Sequence, residues 1–335
     1  GEVKLHPNDK IEVGDSVLDR WGGGAGWIGF HNARSAFAYL VEALSPATVW
    51  LPAYLCADMD EAAGRTVRRY RLDAALQVDD TAFEAALAPG DLVVAVSYFG
   101  APVCPRQRDI AARRRDVTWL EDRAQALDLR AEQAVAGAWR LYSPRKLVGV
   151  GDGGVLVGPV SELPPPDLAA PPVDRLSAAE ARARATDPQE VAEAYRLYTG
   201  IERAHAVGDL AMSESSRRIL AATALPPLAA RRRANFAVLD GMLREVAAPL
   251  VDRLRQAEAP FGYPLLVPVG RDAVAGRLAA EGLFCAVHWR ELGGGATSDP
   301  VVARLRDGML TLPVDHRYDG ADMRRLGERV RQVLA

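Results

Sequence analysis

The stretch SPRKLVGVGDGGVLV, residues 143–157, contains Lys146, a residue type that is rare in this chain. Only three of the 41 Lys and Arg residues are lysines, and the other two are Lys4 and Lys10. A guanidinium stays protonated at any working pH, whereas a buried or charge-crowded lysine can lose its proton and condense with a carbonyl. The sequence therefore indicates a functional amine at position 146, with a lysine that extends from a surface loop into solvent as the alternative.

Apolar strand-like segments alternate with helical patterns from residue 28 to residue 160. The predicted strands are 27–30, 47–55, 91–100, 117–122, 137–143 and 153–158, and the predicted helices are 33–44 and 109–116. Such alternation is typical of an α/β fold with a mostly parallel central sheet between helices. We therefore expect a large domain over residues 28–160, preceded by an N-terminal arm of residues 1–27.

A different organisation is predicted for the second half of the chain. Residues 161–177 are rich in proline, which interrupts helices and central strands, and they are predicted to form a linker. Helical patterns cover 178–222, 227–247, 271–282 and 319–335, and apolar strand patterns cover 261–270 and 309–314. Residues 178–335 are therefore expected to form a helical connection and a smaller C-terminal α+β domain.

Composition narrows the classes of function. The formal net charge of the 335 residues is −3, which gives no reason to expect nucleic acid as a partner. The three cysteines and five histidines lack the spacing of a disulfide framework or a zinc site, so no metal is expected. No apolar run approaches the length that spans a membrane, and no signal peptide is recognisable, so the expected location is cytoplasmic, without a membrane partner.

Two carboxylates end one of the predicted strands. In LEDRAQAL (120–127), Glu121 and Asp122 follow an apolar run, and ligand sites of parallel α/β sheets lie outside the carboxyl ends of strands. A pyridoxal phosphate site needs a carboxylate against the pyridinium nitrogen and a lysine that forms a Schiff base. Asp122 and Lys146 are therefore candidates for those two groups, with capping of the following turn as the alternative for Asp122.

A third motif lies at a predicted strand-to-helix junction. In FHNARSAF (30–37), the helix start offers the backbone N–H groups of Arg34 and Ser35, together with the Ser35 hydroxyl, to a phosphate. The alternative is an ordinary N-terminal cap of the helix by Asn32. The GDGG sequence after Lys146 (151–154) is interpreted as a turn before the next strand.

Together these motifs resemble the DegT/StrS sugar aminotransferase family of fold-type I pyridoxal phosphate enzymes. SPRKLVGVGDGGVLV is similar to the family's PTK…GDGG motif, which implies that Lys146 holds pyridoxal 5'-phosphate as a Schiff base. LEDRAQAL resembles its EDAAQA motif, which implies that Asp122 contacts the pyridinium nitrogen and that Gln125 lies near the ring hydroxyl. The order and spacing of the motifs match over residues 28–158.

Two further stretches extend the resemblance around the cofactor. NARSAF (32–37) is similar to the family's phosphate-binding SGTAAL stretch, which implies that Ala33, Arg34 and Ser35 bind the phosphate. LPAYLC (51–56) resembles the strand and loop that lie over the cofactor, which implies that Tyr54 and Cys56 are near its ring.

The chain departs from the family pattern at three positions. Leu141 stands where the family commonly has a phosphate-binding serine, and Ser143 or Arg145 is the expected substitute. Cys56 stands at the position of the aromatic residue stacked on the ring, and Asp209 aligns with an asparagine that reaches the phosphate in the partner subunit. These departures alter the phosphate and substrate contacts, so the acceptor is expected to differ from the usual keto sugar nucleotides or to be held differently.

The resemblance implies an aminotransferase that moves an amino group from an amino acid donor to a keto acceptor, by resemblance a keto sugar nucleotide. It also implies a homodimer in which the partner subunit completes each active site. The alternative is a non-catalytic cofactor-binding or regulatory protein on the same fold. The altered phosphate positions favour that alternative, whereas the intact Asp122, Gln125 and Lys146 argue against it.

Overall fold

The computed structural model describes residues 14–78, 82–128, 130–171, 189, 190, 193, 196, 207–268, 270–294 and 298–335. The chain divides into two compact units. The first unit comprises Gly1–Ser45 and Trp139–Leu225, and the second comprises Pro46–Ala138 and Pro226–Ala335. Each unit is therefore assembled from two separate stretches of chain, and the predicted domain boundaries after residues 27, 160 and 177 stay predictions.

Strands and helices alternate along most of the chain. The strands are β1 (Gly26–Phe30), β2 (Val49–Pro52), β3 (Val67–Tyr70), β4 (Leu92–Val96), β5 (Thr118–Asp122), β6 (Trp139–Tyr142), β7 (Gly154–Gly158), β8 (Gly262–Leu266) and β9 (Met309–Pro313). The helices are α1 (Val17–Gly22), α2 (Ala33–Leu44), α3 (Asp58–Ala63), α4 (Phe83–Ala86), α5 (Pro105–Arg113), α6 (Glu214–Ala221), α7 (Leu225–Leu243), α8 (Arg271–Ala279), α9 (Pro300–Gly308) and α10 (Gly320–Leu334). The predicted α/β class is thereby confirmed.

The first unit contains three strands in the order β1-β7-β6, and β7 is antiparallel to both neighbours. Phe30 at the end of β1 lies opposite Gly154, and Tyr142 at the end of β6 lies opposite Val155. Strands β1 and β6 therefore run in the same direction and end beside the start of β7. The reversal of β7 is not predictable from the sequence pattern, because alternation of apolar segments carries no information on strand direction.

Helix α2 packs against β1 and β7 through an apolar face. The residues of this face recur at the helical period and are at most 2% exposed: Ala36, Phe37, Leu40 and Val41. Asn32 caps the helix, because its side-chain oxygen accepts a hydrogen bond of 2.8 Å from the Ser35 N–H. The helix begins and ends at the residues that its periodicity predicts.

The second unit contains four parallel strands in the order β5-β4-β2-β3. All five residues of β4 are buried, and such a continuous apolar run is typical of a parallel strand that is covered on both faces. The carboxyl ends of β4 and β5 meet at one edge, where Val96 lies opposite Asp122. Strands β8 and β9 form a separate antiparallel pair in the same unit.

Several of the predicted strands are too long, and β2 and β4 show the reason. Strand β2 ends at Pro52 and β4 ends at Val96, whereas the predictions extend to residues 55 and 100. Beyond β4, Tyr98–Gly100 forms a short 3-10 turn in which Phe99 has a positive φ of 56°. The apolar character of these residues reflects burial in turns rather than strand pairing, since Tyr54 and Phe99 are both 0% exposed.

The predicted helix over 178–222 is wrong for residues 207–213, which are not helical. Helix α6 begins only at Glu214, because Ser213 caps it by accepting a hydrogen bond from the Ser216 N–H. Residues 178–188 and 197–206 of that prediction lie outside the described residues. Five short elements were not predicted: α1, α3, α4, α9 and β3. None exceeds nine residues, so each is too short to show a clear periodic pattern. Among the residues that the structure describes, no helix has the length and apolar character needed to cross a membrane.

Candidate active site

Lys146 ends a short 3-10 turn, Pro144–Lys146, that directly follows β6. Its backbone N–H donates to the Ser143 carbonyl at 3.1 Å, and Pro144 opens the turn with a fixed φ. The next two residues, Leu147 and Val148, are buried and anchor the end of the turn in the core. The Lys146 side chain is exposed, so an aldehyde can reach its amine. Burial, one of the two predicted causes of a neutral amine at this position, is not found.

The residues that lead into this turn carry the altered phosphate position. Leu141 is 1% exposed and lies opposite Leu156 in the sheet, so it contributes an apolar side chain to the core and no hydrogen bond to a phosphate. Ser143 is 3% exposed, and its hydroxyl has no hydrogen-bonding partner among the described residues. The Ser143 hydroxyl can therefore donate a hydrogen bond to a ligand oxygen. The neighbouring Arg145 is half-buried.

At the start of α2, the structure shows the Asn32 cap that the sequence analysis gives as the alternative. The Ser35 N–H, expected to face a phosphate, is bonded to the Asn32 side chain instead. The Ser35 hydroxyl accepts a hydrogen bond of 3.1 Å from the Gly208 N–H, which leaves its own proton for another acceptor. Ala33 and Arg34, the other two predicted phosphate contacts, are half-buried in the first turn.

His31 is a further residue at this helix start, and the sequence analysis does not single it out. It is 1% exposed, and its Nδ1 lies 3.2 Å from the Leu210 carbonyl, so Nδ1 carries the proton. Its Nε2 then accepts a hydrogen bond of 2.9 Å from the Asn32 amide and lies 3.5 Å from the Ser35 hydroxyl. The position directly before the helix cap is the one sequence signal that could have pointed to it.

In the second unit, Asp122 is the last residue of β5 and is 7% exposed. One carboxylate oxygen accepts a hydrogen bond of 2.8 Å from the Ala124 N–H, so the turn-capping alternative is present in the structure. The Asp122 carbonyl accepts from the Ser97 N–H at 3.0 Å, which joins the ends of β4 and β5. Asp122 thus lies at the carboxyl edge of parallel strands, where ligand sites of such sheets form.

Gln125 lies at the same edge and is 3% exposed. Its side-chain oxygen accepts a hydrogen bond of 2.9 Å from the Phe99 N–H, which fixes the orientation of the amide. The Nε2 group is buried and has no partner among the residues described. A buried donor without an acceptor is costly, so this amide is suited to a ligand oxygen such as the ring hydroxyl of pyridoxal phosphate.

The adjacent Glu121 has a different role from Asp122. Its carboxylate is fully buried and accepts hydrogen bonds from Arg123 at 2.8 Å, the Ser97 hydroxyl at 2.8 Å and the Val135 N–H at 3.0 Å. These partners compensate for the loss of water around the charge. Glu121 therefore stabilises the fold. Its side chain points to the face opposite that of Asp122, because successive residues of a strand point to opposite faces.

Tyr54, predicted to lie near the cofactor ring, is 0% exposed and belongs to an aromatic cluster in the second unit. Its hydroxyl donates to the His288 carbonyl, and the Tyr98 hydroxyl donates to the Tyr54 carbonyl. Burial raises the pKa of Tyr54 above its ordinary value, so the phenol stays protonated. The half-buried Trp289 ring lies 5.4 Å from the Tyr54 ring, between centroids. His288 and Trp289 were not predicted, because more than two hundred residues of chain separate them from Tyr54.

The remaining predicted positions, Cys56 and Asp209, lie in different units. Cys56 is half-buried and forms an isolated bridge with Leu292 in the second unit. Asp209 in the first unit is exposed, and its carbonyl accepts a hydrogen bond of 2.9 Å from the Ala169 N–H. Their roles in cofactor binding stay predictions.

No protein-family model matches the chain, and no curated protein matches it in sequence. Solved structures match it over most of its length. The sugar aminotransferase CalS13 from Micromonospora echinospora is 21% identical, with a TM-score of 0.66 over 97% of this chain and 94% of that protein. A DegT DnrJ EryC1 StrS aminotransferase from Brucella abortus is 15% identical, with a TM-score of 0.64 over 94% and 88%. Spr1654 from Streptococcus pneumoniae, in its PLP form, is 15% identical, with a TM-score of 0.67 over 95% and 89%.

The chain has the fold of these aminotransferases. At 15–21% identity the similarity concerns the fold, and at that level the resemblance predicted from the motifs is confirmed. Asp122 ends strand β5, Gln125 lies in the turn after β5, and Lys146 lies in the turn after β6.

Proposed function

We propose that the chain is a pyridoxal phosphate-dependent aminotransferase that moves an amino group from an amino acid donor to a keto acceptor. The observation that carries the proposal is the buried Gln125 amide, whose Nε2 has no acceptor among the described residues. It lies at the same strand edge as Asp122, on a fold shared with a sugar aminotransferase and with a PLP-form structure. The orphaned Gln125 donor fits a phenolic oxygen, and in the other unit the Ser143 hydroxyl fits a phosphate oxygen.

The residues that would hold the cofactor follow from the motifs. Lys146 would attach it through its amine, Asp122 would contact the ring nitrogen and Gln125 would donate to the ring oxygen. The phosphate would be bound by the start of α2 and by the turn after β6: Ala33, Arg34, Ser35 and Ser143. Tyr54 and Cys56 would lie near the ring face.

When bound, pyridoxal phosphate supplies an electron sink for a carbanion at the donor's α-carbon. The Lys146 amine would act as the base that takes the proton from the donor's α-carbon and as the acid that returns it. Asp122 keeps the ring nitrogen protonated, because its buried carboxylate favours a positive charge next to it. Gln125 would donate to the ring oxygen through its Nε2 group.

The acceptor we propose is a keto sugar nucleotide or a compound of the same class that is held differently. The sugar aminotransferases that share the fold support the first part of this statement. Leu141, an apolar residue in the core, and Asp209, an exposed carboxylate, support the second. Steady-state assays on 3-keto and 4-keto sugar nucleotides and on small keto compounds test it. High catalytic efficiency with an ordinary keto sugar nucleotide would show that these departures are neutral.

We further propose that the protein is a cytoplasmic homodimer in which the partner subunit completes each site. Cyclic dimers are the commonest assembly of soluble proteins, and the resemblance implies this one. Light scattering on the cofactor-loaded chain tests the proposal. A monomer at working concentration that retains bound cofactor would contradict it.

An absorbance spectrum of the purified chain with added pyridoxal phosphate, before and after L-glutamate, tests the function. We expect a visible band that borohydride fixes onto Lys146, as read by peptide mass spectrometry, and that glutamate converts to a shorter-wavelength band. The solved structures that share the fold do not favour the non-catalytic alternative. It would give the visible band without any change on addition of amino donors, and a chain that forms no band would refute both.

A further inference from the structure

The GDGG segment (151–154) lies between the Lys146 turn and the start of α2. Because β7 is antiparallel to both β1 and β6, the ends of β1 and β6 flank the residue pair that begins β7. Phe30 lies opposite Gly154 and Tyr142 opposite Val155. The start of α2 and the Lys146 turn, the two candidate cofactor contacts in this unit, therefore both lie next to the GDGG segment.

The two glycines that end the segment, Gly153 and Gly154, lie close to the Lys146 turn and to the start of α2 respectively. A Cβ on Gly154 would lie 2.2 Å from the Asn32 carbonyl carbon, so the cap of α2 passes directly over this residue. Gly153 has a φ of +133°, and a Cβ there would lie 3.0 Å from Pro144 Cγ, at the opening of the Lys146 turn. The Gly153 N–H also donates to the His31 carbonyl at 2.8 Å. Both approaches require glycine.

Asp152, between these glycines and Gly151, anchors the segment to the start of α6. It is 1% exposed, and its carboxylate accepts hydrogen bonds from the Ser213 hydroxyl at 2.8 Å and the Ser213 N–H at 3.1 Å. Its own N–H donates to the Ser216 hydroxyl at 3.3 Å. A carboxylate at this depth is stable only with such partners, so the bonds hold the segment in one place.

We propose that Asp152 is a positioning residue that holds the Lys146 turn and the start of α2 at the separation that a single cofactor molecule requires. The inference rests on the proposed function. It replaces the interpretation of GDGG as a turn before a strand. A ligand with an aldehyde at one end and a phosphate at the other gains affinity only when both binding groups are held at the matching distance.

The test compares three ligands on the full-length chain: pyridoxal phosphate, pyridoxal, which lacks the phosphate, and inorganic phosphate. The variants are Asp152→Asn, which weakens the hydrogen bonds to Ser213, and Ser213→Ala, which removes one of them. Absorbance titration gives the affinities of the two aldehydes, and competition gives that of phosphate. We expect the preference for pyridoxal phosphate over pyridoxal to fall about tenfold, while pyridoxal and phosphate each change by less than about threefold.

Two matched controls separate positioning from loss of stability. Ser16 caps α1 in the same unit without contacting Asp152, so Ser16→Ala matches the lost helix cap of Ser213→Ala. Asp240 is a buried carboxylate of the other unit that pairs with Arg255, so Asp240→Asn matches the lost charge. Both controls should lower the melting temperature and keep the wild-type preference between the two aldehydes.

An unchanged preference in both test variants overturns the inference, and so does equal weakening of all three ligands. If Asp152→Asn does not fold, Ser213→Ala decides alone, because it keeps the carboxylate. Borohydride labelling of the wild-type chain is done first. No label at Lys146 would sink the proposed function and this inference together, whereas a label at Lys146 with an unchanged preference would sink only the inference.

Discussion

The start of α2 and the carboxyl edge of β4 and β5 both carry predicted cofactor contacts, but they treat their polar groups differently. At α2, the Ser35 N–H is bonded to Asn32, and the Ser35 hydroxyl accepts from Gly208. At the strand edge, the buried Gln125 Nε2 has no partner among the described residues. A group that is satisfied within the chain gains little from a ligand, whereas an orphaned buried donor gains a full hydrogen bond. The strand edge therefore retains a buried donor for a ligand, whereas at the start of α2 the Ser35 hydroxyl retains only its proton for one.

The largest effect is expected at Lys146. Lys146→Arg should leave the fold intact and abolish the visible absorbance band, because a guanidinium does not condense with an aldehyde. Turnover should fall by more than about 1,000-fold, since proton transfer alone is worth roughly 10²–10⁴-fold. Absorbance and borohydride labelling measure the first effect, and steady-state assays the second.

A swap of neighbours is the matched control for this variant. The double variant Arg145→Lys with Lys146→Arg keeps the composition and moves the amine by one residue. It should be as inactive as the single variant. A band of wild-type intensity in either variant would show that the amine is elsewhere.

The next effect sharpens the contrast between the two carboxylates that end β5. Asp122→Asn should lower turnover about 100-fold with little change in melting temperature, because the ring nitrogen is no longer held protonated. Glu121→Gln should act on stability instead. Breaking its buried pair with Arg123 should cost about 3–5 kcal/mol of unfolding free energy. Thermal melts and kinetics on both variants decide the matter, and reversed outcomes would exchange the two roles.

A smaller effect is expected at Gln125. Gln125→Leu removes an unsatisfied donor and also the acceptor of the Phe99 N–H, so the cofactor-free chain should change little in stability. The affinity for pyridoxal phosphate should fall about tenfold, which corresponds to one lost hydrogen bond. Calorimetric titration measures it. An unchanged affinity would mean that the amide does not face the cofactor.

The smallest effects distinguish Ser143 from Ser35, the two serines that are proposed to bind the phosphate. Ser143→Ala should weaken pyridoxal phosphate by about 1 kcal/mol and leave pyridoxal unaffected, because the Ser143 hydroxyl has no partner within the described chain. Ser35→Ala should instead lower the unfolding free energy by about 1 kcal/mol, because the Gly208 N–H loses its acceptor. Titrations and urea melts on both variants give the comparison. A Ser35 variant that loses affinity without losing stability would restore Ser35 as the main phosphate contact.

Local patterns predict much of the fold and of the ring side of the site. Helix α2 matches its predicted bounds because its apolar face repeats at the helical period, and Asp122 ends a strand because an apolar run stops there. Contacts that join distant parts of the chain are not predicted. Ser35 meets Gly208 across 173 residues, and Tyr54 meets His288 across 234. The competition of Asn32 for the Ser35 N–H is also invisible to composition, since capping and phosphate binding require the same residue types.

The interleaving of the two units constrains the order in which the chain can fold during synthesis. The first unit needs both Gly1–Ser45 and Trp139–Leu225, and the second needs Pro46–Ala138 and Pro226–Ala335. Neither can close until a later segment has left the ribosome, so the usual sequence of one finished domain after another does not apply. A nascent chain that stops near Leu225 holds every residue of the first unit and only Pro46–Ala138 of the second. Strands β2 to β5 must then wait for α7 to α10, and that interval is when their apolar residues are most exposed to aggregation.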